Sequence, residues 1–391
     1  MRSFTTLGLA AFSLCSCSMS PITPAPQMKA YELSVAASDS QLAIAWHGAA
    51  TGRDAIHFQW LDFNGKLKGS PMQVTDGARY AFEPDLQFID RDPLLAWYEK
   101  NPTTGALKAY LARLDAGGKT KWRRELGASD AFSRNPVVRI FNGEIAIAWI
   151  EAPTGENAVP GVWAQRFNAN GNPISEARWI ADASRNTWNL NAAVDDKGIF
   201  YVVYDAQLTN LANELQLIVV GEEAATHTQI SDNDGYASTY PDIGMNAGGR
   251  VALTWFDERD GNEEVYLSVG ANRDLINGGL PEAFRVTHTV TESIGAYLAW
   301  NGDRLALVWC DSKEGQKELY SQMFDAQGMP LADIRRLTSS PEQSSIPSIR
   351  AWNAGFIVAW NEYRATGEGV HRPIIFSEAR LLRMCEHCAD E

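Results

Sequence analysis

The chain has no long hydrophobic run. The apolar stretch at residues 7–14 is too short to span a bilayer as a stable helix. Basic residues are also scarce, 34 against 48 acidic ones, for a formal charge of −14. With no basic cluster anywhere, nucleic acid and an anionic membrane surface are excluded as partners. Cysteine is limited to five residues and histidine to six, His47, His57, His227, His288, His371 and His387, which are scattered. Neither H-E-x-x-H nor G-x-S-x-G occurs, and there is no P-loop. No catalytic signature can therefore be read off directly.

What the chain does have is an internal repeat. Strand-ending aromatics fall at Trp46, Trp97, Trp149, Tyr204, Trp255, Trp309 and Trp360, spaced by 51, 52, 55, 51, 54 and 51 residues. Each closes a segment of period two. Ile145, Ile147 and Trp149 share one face against Ala146 and Ala148, and Leu305, Leu307 and Trp309 oppose Ala306 and Val308. One face is bulky and the other small, and neither is polar, so the sheet needs cover on both sides. Burial of each large side chain contributes roughly 1.5–3 kcal/mol. A bulky face laid on the small face of the next sheet satisfies every copy only if the series closes. The expected fold is all-β, a seven-bladed β-propeller of four-stranded antiparallel blades.

The other strands follow from the same copies. Segments opened by proline, Pro84-Asp-Leu-Gln-Phe88, Pro136-Val-Val-Arg-Ile140, Pro241-Asp-Ile-Gly-Met245 and Pro347-Ser-Ile-Arg-Ala351, read as innermost strands, with proline at the first strand position. Tight turns such as Asn142-Gly143 and Asn301-Gly302 join them to the aromatic strand. A polar loop, a third strand with an Asp/Asn-x-x-Gly type of turn and a fourth strand such as Phe284-Arg-Val-Thr287 complete the unit.

Residues 1–16 read as a signal peptide, and Leu14-Cys-Ser-Cys17 resembles a bacterial lipobox with Cys17 as the lipidated residue. By resemblance to Gram-negative lipoproteins, Ser18 after the cysteine implies outer-membrane delivery, on the periplasmic or the surface-exposed side. Residues 17–28 form a Pro/Ser tether, 29–384 the propeller and 385–391 a tail. The last unit is short of a strand, and the segment before Val35 is expected to supply it. The tail carries Cys385-Glu-His-Cys388. A local disulfide between Cys385 and Cys388, inert thiols, and a metal or redox role stay open. Cys310 is expected to pack beside Trp309.

Loops before the innermost strand share a face with loops after the aromatic strand, and the opposite face carries only tight turns. The roomy face holds the binding candidates Arg79, Tyr80, Glu83, Arg134, Asn135, Arg185, Trp188, Tyr236, Tyr240, Asp257 and Arg259. Acids sit two residues after the strand aromatic at Glu99, Glu151, Asp257, Asp311 and Glu362. A feature in five copies points to a structural role, bonding loop amides. The acidic stretches at 232–235 and 257–264 miss the EF-hand spacing. Calcium is thus a minor alternative to having no metal or cofactor.

With the repeat laid out, the chain resembles the seven-bladed β-propeller lipoproteins of bacterial envelopes, over residues from about 30 to 384. That resemblance implies a monomeric, envelope-tethered propeller that binds a protein or glycan partner without catalysis and meets the membrane only through its lipid anchor. The alternative is a sialidase-like or other glycoside hydrolase. Sialidases use an arginine cluster, and Arg79, Arg134 and Arg185 hold similar loop positions in adjacent blades. Their S-x-D-x-G-x-x-W box is missing here, and Ser231-Asp-Asn-Asp-Gly235 fails its spacing.

Overall fold

The computed structural model describes residues 19–22, 31–49, 52–63, 65, 67–154, 159–208, 212–221, 224–276, 279, 282–341, 343–366 and 374–385. It is an all-β propeller of four-stranded antiparallel blades. Six blades are each made from four consecutive strands: blade one over residues 31–73, blade two over 80–126, blade three over 132–182, blade four over 190–229, blade five over 238–285 and blade six over 293–336. The repeat around Trp360 is not such a unit, which corrects the expectation of seven equivalent ones. Its sheet is composite: three C-terminal strands, Gln343–Trp352, Gly355–Thr366 and Ile374–Cys385, take Met19–Ile22 as their fourth. Met19 pairs with Leu382 and Ile22 with Ala379. Part of the stretch read as a tether is therefore a strand. The short C-terminal unit leaves an open edge, and the N-terminal segment covers it.

The two-faced strand explains the assembly. The small face of blade one, Ala36, Ala43 and Ala45, packs on Leu86, Leu95 and Trp97 of blade two. Ala96 and Ala109 of blade two meet Ile145, Ile147 and Trp149 of blade three. The pattern repeats to Ala306 and Val308 of blade six against Phe356 and Trp360. Ala359 of the composite sheet then packs against Leu42, Ile44 and Trp46 of blade one. Trp46, Trp97, Trp149, Trp309 and Trp360 are fully buried.

The five repeated acids are structural. Indole Nε1–H donates to the carboxylate two residues on, Trp97 to Glu99 at 3.0 Å, Trp149 to Glu151 at 2.8 Å, and both Trp255 to Asp257 and Trp360 to Glu362 at 3.2 Å. The same acids accept loop amides, as Asp311 does from Lys313 at 2.8 Å. Blade one has Gly48 in place of the acid, and among the described residues the buried Trp46 Nε1 has no hydrogen-bond partner, nor does Trp309 Nε1 in blade six, although Asp311 stands two residues on. A second repeated device was missed in the sequence. A hydroxyl after the fourth strand accepts the amide of the third: Thr75 from Ile56 at 3.0 Å, Thr287 from Val265 at 2.8 Å and Thr338 from Leu319 at 2.8 Å. Thr287 and Thr338 also donate to the buried Glu264 and Glu318. A short strand such as Arg335–Arg336 is thereby tied to its blade although it makes little ladder of its own.

Proline does not open the innermost strands. In blade two the strand begins at Tyr80, and Pro84 lies inside it. The register slips between Phe82 and Asp85, and Glu83 takes a left-handed φ of 51°. The same slip, with a residue of positive φ, occurs at Glu32, Asn135, Tyr240, Gly295 and Ile346. A bulge leaves one residue out of the ladder, so the missing N–H of the following proline at 84, 136, 241 and 347 costs no hydrogen bond.

Candidate functional site

The innermost strands surround a central channel of about 1030 Å³. The bulges sit at the start of these strands, on the face of the roomy loops, and place Glu32, Glu83, Asn135 and Tyr240 in the channel wall at its mouth. Blade four has no bulge, and Trp188 and Asn189 stand in the corresponding place. Two to four residues beyond the bulges comes a deeper ring. There Arg139 of blade three binds Asp85 at 2.9 Å and Asn191 Oδ1 at 2.7 Å, and Arg350 lies 4.0 Å from Asp85. Burial depresses Arg350, with Arg139 adding to the effect. Burial likewise raises Asp242, although the Leu298 amide, Arg139 and Arg350 pull it down. The waist of the channel thus balances two acids against two arginines.

The mouth is different. Glu83 accepts from Tyr98 Oη at 3.1 Å and from the side-chain amide of Asn135. Arg134 donates to Asn135 Oδ1 at 2.8 Å, and its guanidinium lies 3.7 Å from the centre of the Trp188 ring. Burial raises Glu83 to about 7 although Tyr98, Arg134 and Asn135 favour its ionised form. Burial, then the Glu83 charge, raises Glu32 to about 8. His47 is buried between them, with Nδ1 3.3 Å from Glu32 Oε2 and accepting the Glu83 amide at 3.4 Å. Burial, then His57, lowers His47 to about 3, so its ring is neutral. A neutral Nδ1 that already accepts one amide offers no proton to Glu32. Farther round, Asp205 accepts from Asn189 Nδ2 at 2.6 Å and from the Tyr240 amide at 3.1 Å. Burial raises Asp205 to about 6, against the bonds from Asn189, Tyr240 and Trp188.

Of the residues singled out in the sequence, Glu83, Asn135, Trp188 and Tyr240 line the channel, and Arg134 backs them. Trp188 is 50% exposed and Tyr240 46%. The others lie outside the lining. Arg79 donates to Tyr110 Oη at 3.1 Å, and Tyr80 stacks on Phe82. Tyr236 is exposed, with its amide held by Asp234 at 2.9 Å. Arg185 does not line the channel, so the three loop arginines are not gathered there. Asp257 and Arg259 form a two-bond ion pair at 2.8 and 2.6 Å inside blade five. Burial acts to raise Asp257, but the Arg259 bonds prevail and hold it below the usual carboxylate range. Sequence reasoning missed Glu32, His47, Tyr98 and Asp205. Only the alignment of Glu32 with Glu83 at the bulge could have signalled the first. Cys310 is buried beside the channel, and burial raises its thiol to about 11. Cys17, His387 and Cys388 lie outside the described residues, and of Cys385 only the backbone is described. No cluster of three or more metal-ligating acids, histidines or cysteines occurs among the described residues.

No family model matches the chain, and no curated protein matches it. Solved structures do. A protein of unknown function from Dyadobacter fermentans is similar at 10% identity and a TM-score of 0.56, over 94% of this chain and 98% of that one. The phage phi92 endosialidase matches at 11% identity and 0.55, over 96% of this chain and 70% of its own. A puromycin-hydrolyzing peptidase of Mycobacterium tuberculosis matches at 11% and 0.57, over 88% of this chain and 52% of that one. At these identities the likeness is one of fold alone.

Proposed function

We propose that the protein is a non-catalytic, envelope-tethered, seven-bladed propeller that binds the end of a glycan in the mouth of its central channel. The observation that carries this reading is the mouth itself. Two half-exposed aromatic rings, Trp188 and Tyr240, flank carboxyl and amide groups that donate and accept hydrogen bonds without strong fixed charge. Sugars present apolar ring faces and hydroxyls, which such a surface fits. A concavity of about 1030 Å³ suits a small ligand or chain end rather than a flat protein epitope. Glu83 is engaged by both Tyr98 and Asn135, which favours binding over attack on a glycosidic bond.

In this reading the anchor is an acyl chain on Cys17, placing the protein at the outer membrane. Met19–Ile22 runs antiparallel to Ile374–Cys385 and so climbs from the tight-turn face towards the loop face. An anchor two residues before Met19 then leaves the mouth directed away from the lipid. Mass spectrometry of the mature N-terminus tests the anchor. A glycan array followed by titration calorimetry tests the binding. Saccharide binding that Trp188→Ala and Tyr240→Ala weaken at least tenfold is the expected result. Turnover of fluorogenic glycosides would replace the reading with a hydrolase.

A further inference from the structure

We infer that the tight-turn face of the propeller is itself a lipid-contacting surface, in which Phe63, Met329 and Leu331 enter the bilayer on either side of the anchored strand. This rests on the acyl anchor of the reading above and goes beyond it, from a tether in the membrane to a face that lies on it.

The length of chain at the anchor carries the first part. Met19–Ile22 is the outer strand of the composite sheet, and its partner Ile374–Cys385 runs down to the tight-turn face, where Cys385 pairs with Gly355. Met19 pairs with Leu382, three residues short of that end. A single residue, Ser18, separates Met19 from Cys17. Two links of chain reach at most about 7 Å, while three strand residues rise about 10 Å. An acyl chain on Cys17 therefore has no slack with which to hold the propeller clear of the headgroups.

The side chains on that face carry the second part. Single exposed apolar residues are ordinary on any surface, so position and not exposure is what counts. The composite sheet sits between blade six and blade one. In blade one Phe63 is 54% exposed and stacks on Trp352 of the composite sheet, with ring centres 5.6 Å apart. In blade six Met329 is 62% exposed and Leu331 50%. All three lie on connections between third and fourth strands, which the antiparallel order puts on the tight-turn face.

The same turn recurs in polar form away from the anchor. In blade six the Met329 amide donates to Asp325 Oδ1 at 2.9 Å, and the Asp325 amide donates to the Met329 carbonyl at 2.9 Å. Asp115 holds Lys119 in blade two, and Asn168 holds Asn172 in blade three, through the same two bonds. One backbone turn therefore presents an ammonium in blade two, an amide in blade three and a thioether beside the anchor. Apolar side chains on a face held against a bilayer, with polar ones farther round, are the chemistry of interfacial binding.

The test is photolabelling of the mature protein in neutral phosphatidylcholine vesicles whose lipid carries a diazirine in its acyl chain, with the labelled peptides mapped by mass spectrometry. Labels are expected in residues 61–67 and 327–334, and not in 115–121 or the mouth segments 186–189 and 236–240. They should persist in about 1 M salt, which screens charge and leaves apolar contact intact. The combined variant Phe63→Ser, Met329→Ser, Leu331→Ser should lose these labels while keeping the acyl chain and the melting temperature. Labelling confined to the N-terminal peptide overturns the inference and leaves the anchor standing. So does heavier labelling of 115–121, or of the exposed Ile174 in blade three across the ring, than of the two flanking turns. A mature N-terminus without an acyl chain overturns the anchor and the inference together, and leaves the glycan reading of the mouth untouched.

Discussion

The amide of Val35 donates to Ser348 Oγ at 3.2 Å, across 313 residues of sequence. The bond joins the innermost strand of blade one to that of the composite sheet, where the two ends of the chain meet. Similar bonds link other blades: Leu86 to Ser34 at 3.0 Å, Val138 to Asp85 at 2.8 Å and Leu298 to Asp242 at 2.9 Å. Each takes an inner-strand amide that faces the previous blade and has no ladder partner on that side. Replacement Ser348→Ala should cost about 1 kcal/mol, the size of one part-buried hydrogen bond. A denaturant midpoint that falls with an unchanged slope is the expected measurement.

Gly127 should not accept a side chain. Its φ is 84°, and an added Cβ would strike the Glu151 carboxylate that holds the Trp149 indole. Gly127→Ala therefore combines backbone strain with displacement of a buried acid. A loss of about 2 kcal/mol or more is expected, read from thermal or denaturant unfolding. Gly143→Ala, at a similar φ of 77° but with open space around it, should lose less, which separates the clash from the strain.

Stability should fall as pH rises towards mildly alkaline values. Glu32 and Glu83 are raised from 4.5 to about 8 and about 7. A carboxyl with a folded-state value above its unfolded one binds its proton more tightly when folded. Its contribution is therefore complete below about 4.5 and is lost as pH climbs through the folded value. The double variant Glu32→Gln, Glu83→Gln should flatten the loss between about pH 5 and pH 8, measured as melting temperature against pH.

Removal of residues 19–22 should lower the melting temperature and expose the edge of Ile374–Cys385, which Met19–Ile22 covers. Increased self-association of the truncated protein, measured by light scattering, is the accompanying expectation. An unchanged melting temperature would show that this pairing contributes nothing to stability.

Much of the architecture was legible because it rests on local alternation. Ile145, Ile147 and Trp149 declare a bulky face within five residues, and the turn Asn142-Gly143 declares its hairpin through two positive φ values. The proline segments were found but misplaced by a few residues, because a bulge depends on how two strands pair. Part of the mouth was found, since Glu83, Asn135 and Trp188 lie in loop-side segments. His47 was missed because it follows Trp46 in a strand that reads as core, and its neighbour Glu32 lies 15 residues away.

The residue order alone determined that the chain forms strands, that each strand has one heavy and one light face, and that the sheets must cover one another. It could not determine which charged groups would face each other across the channel. Burial and mutual repulsion set the protonation of Glu32 and Glu83, and both arise only when strands from different blades are brought round a common axis. Composition counts charges, but the energy of a charge depends on the water and the neighbours it has lost, and only the tertiary structure decides that.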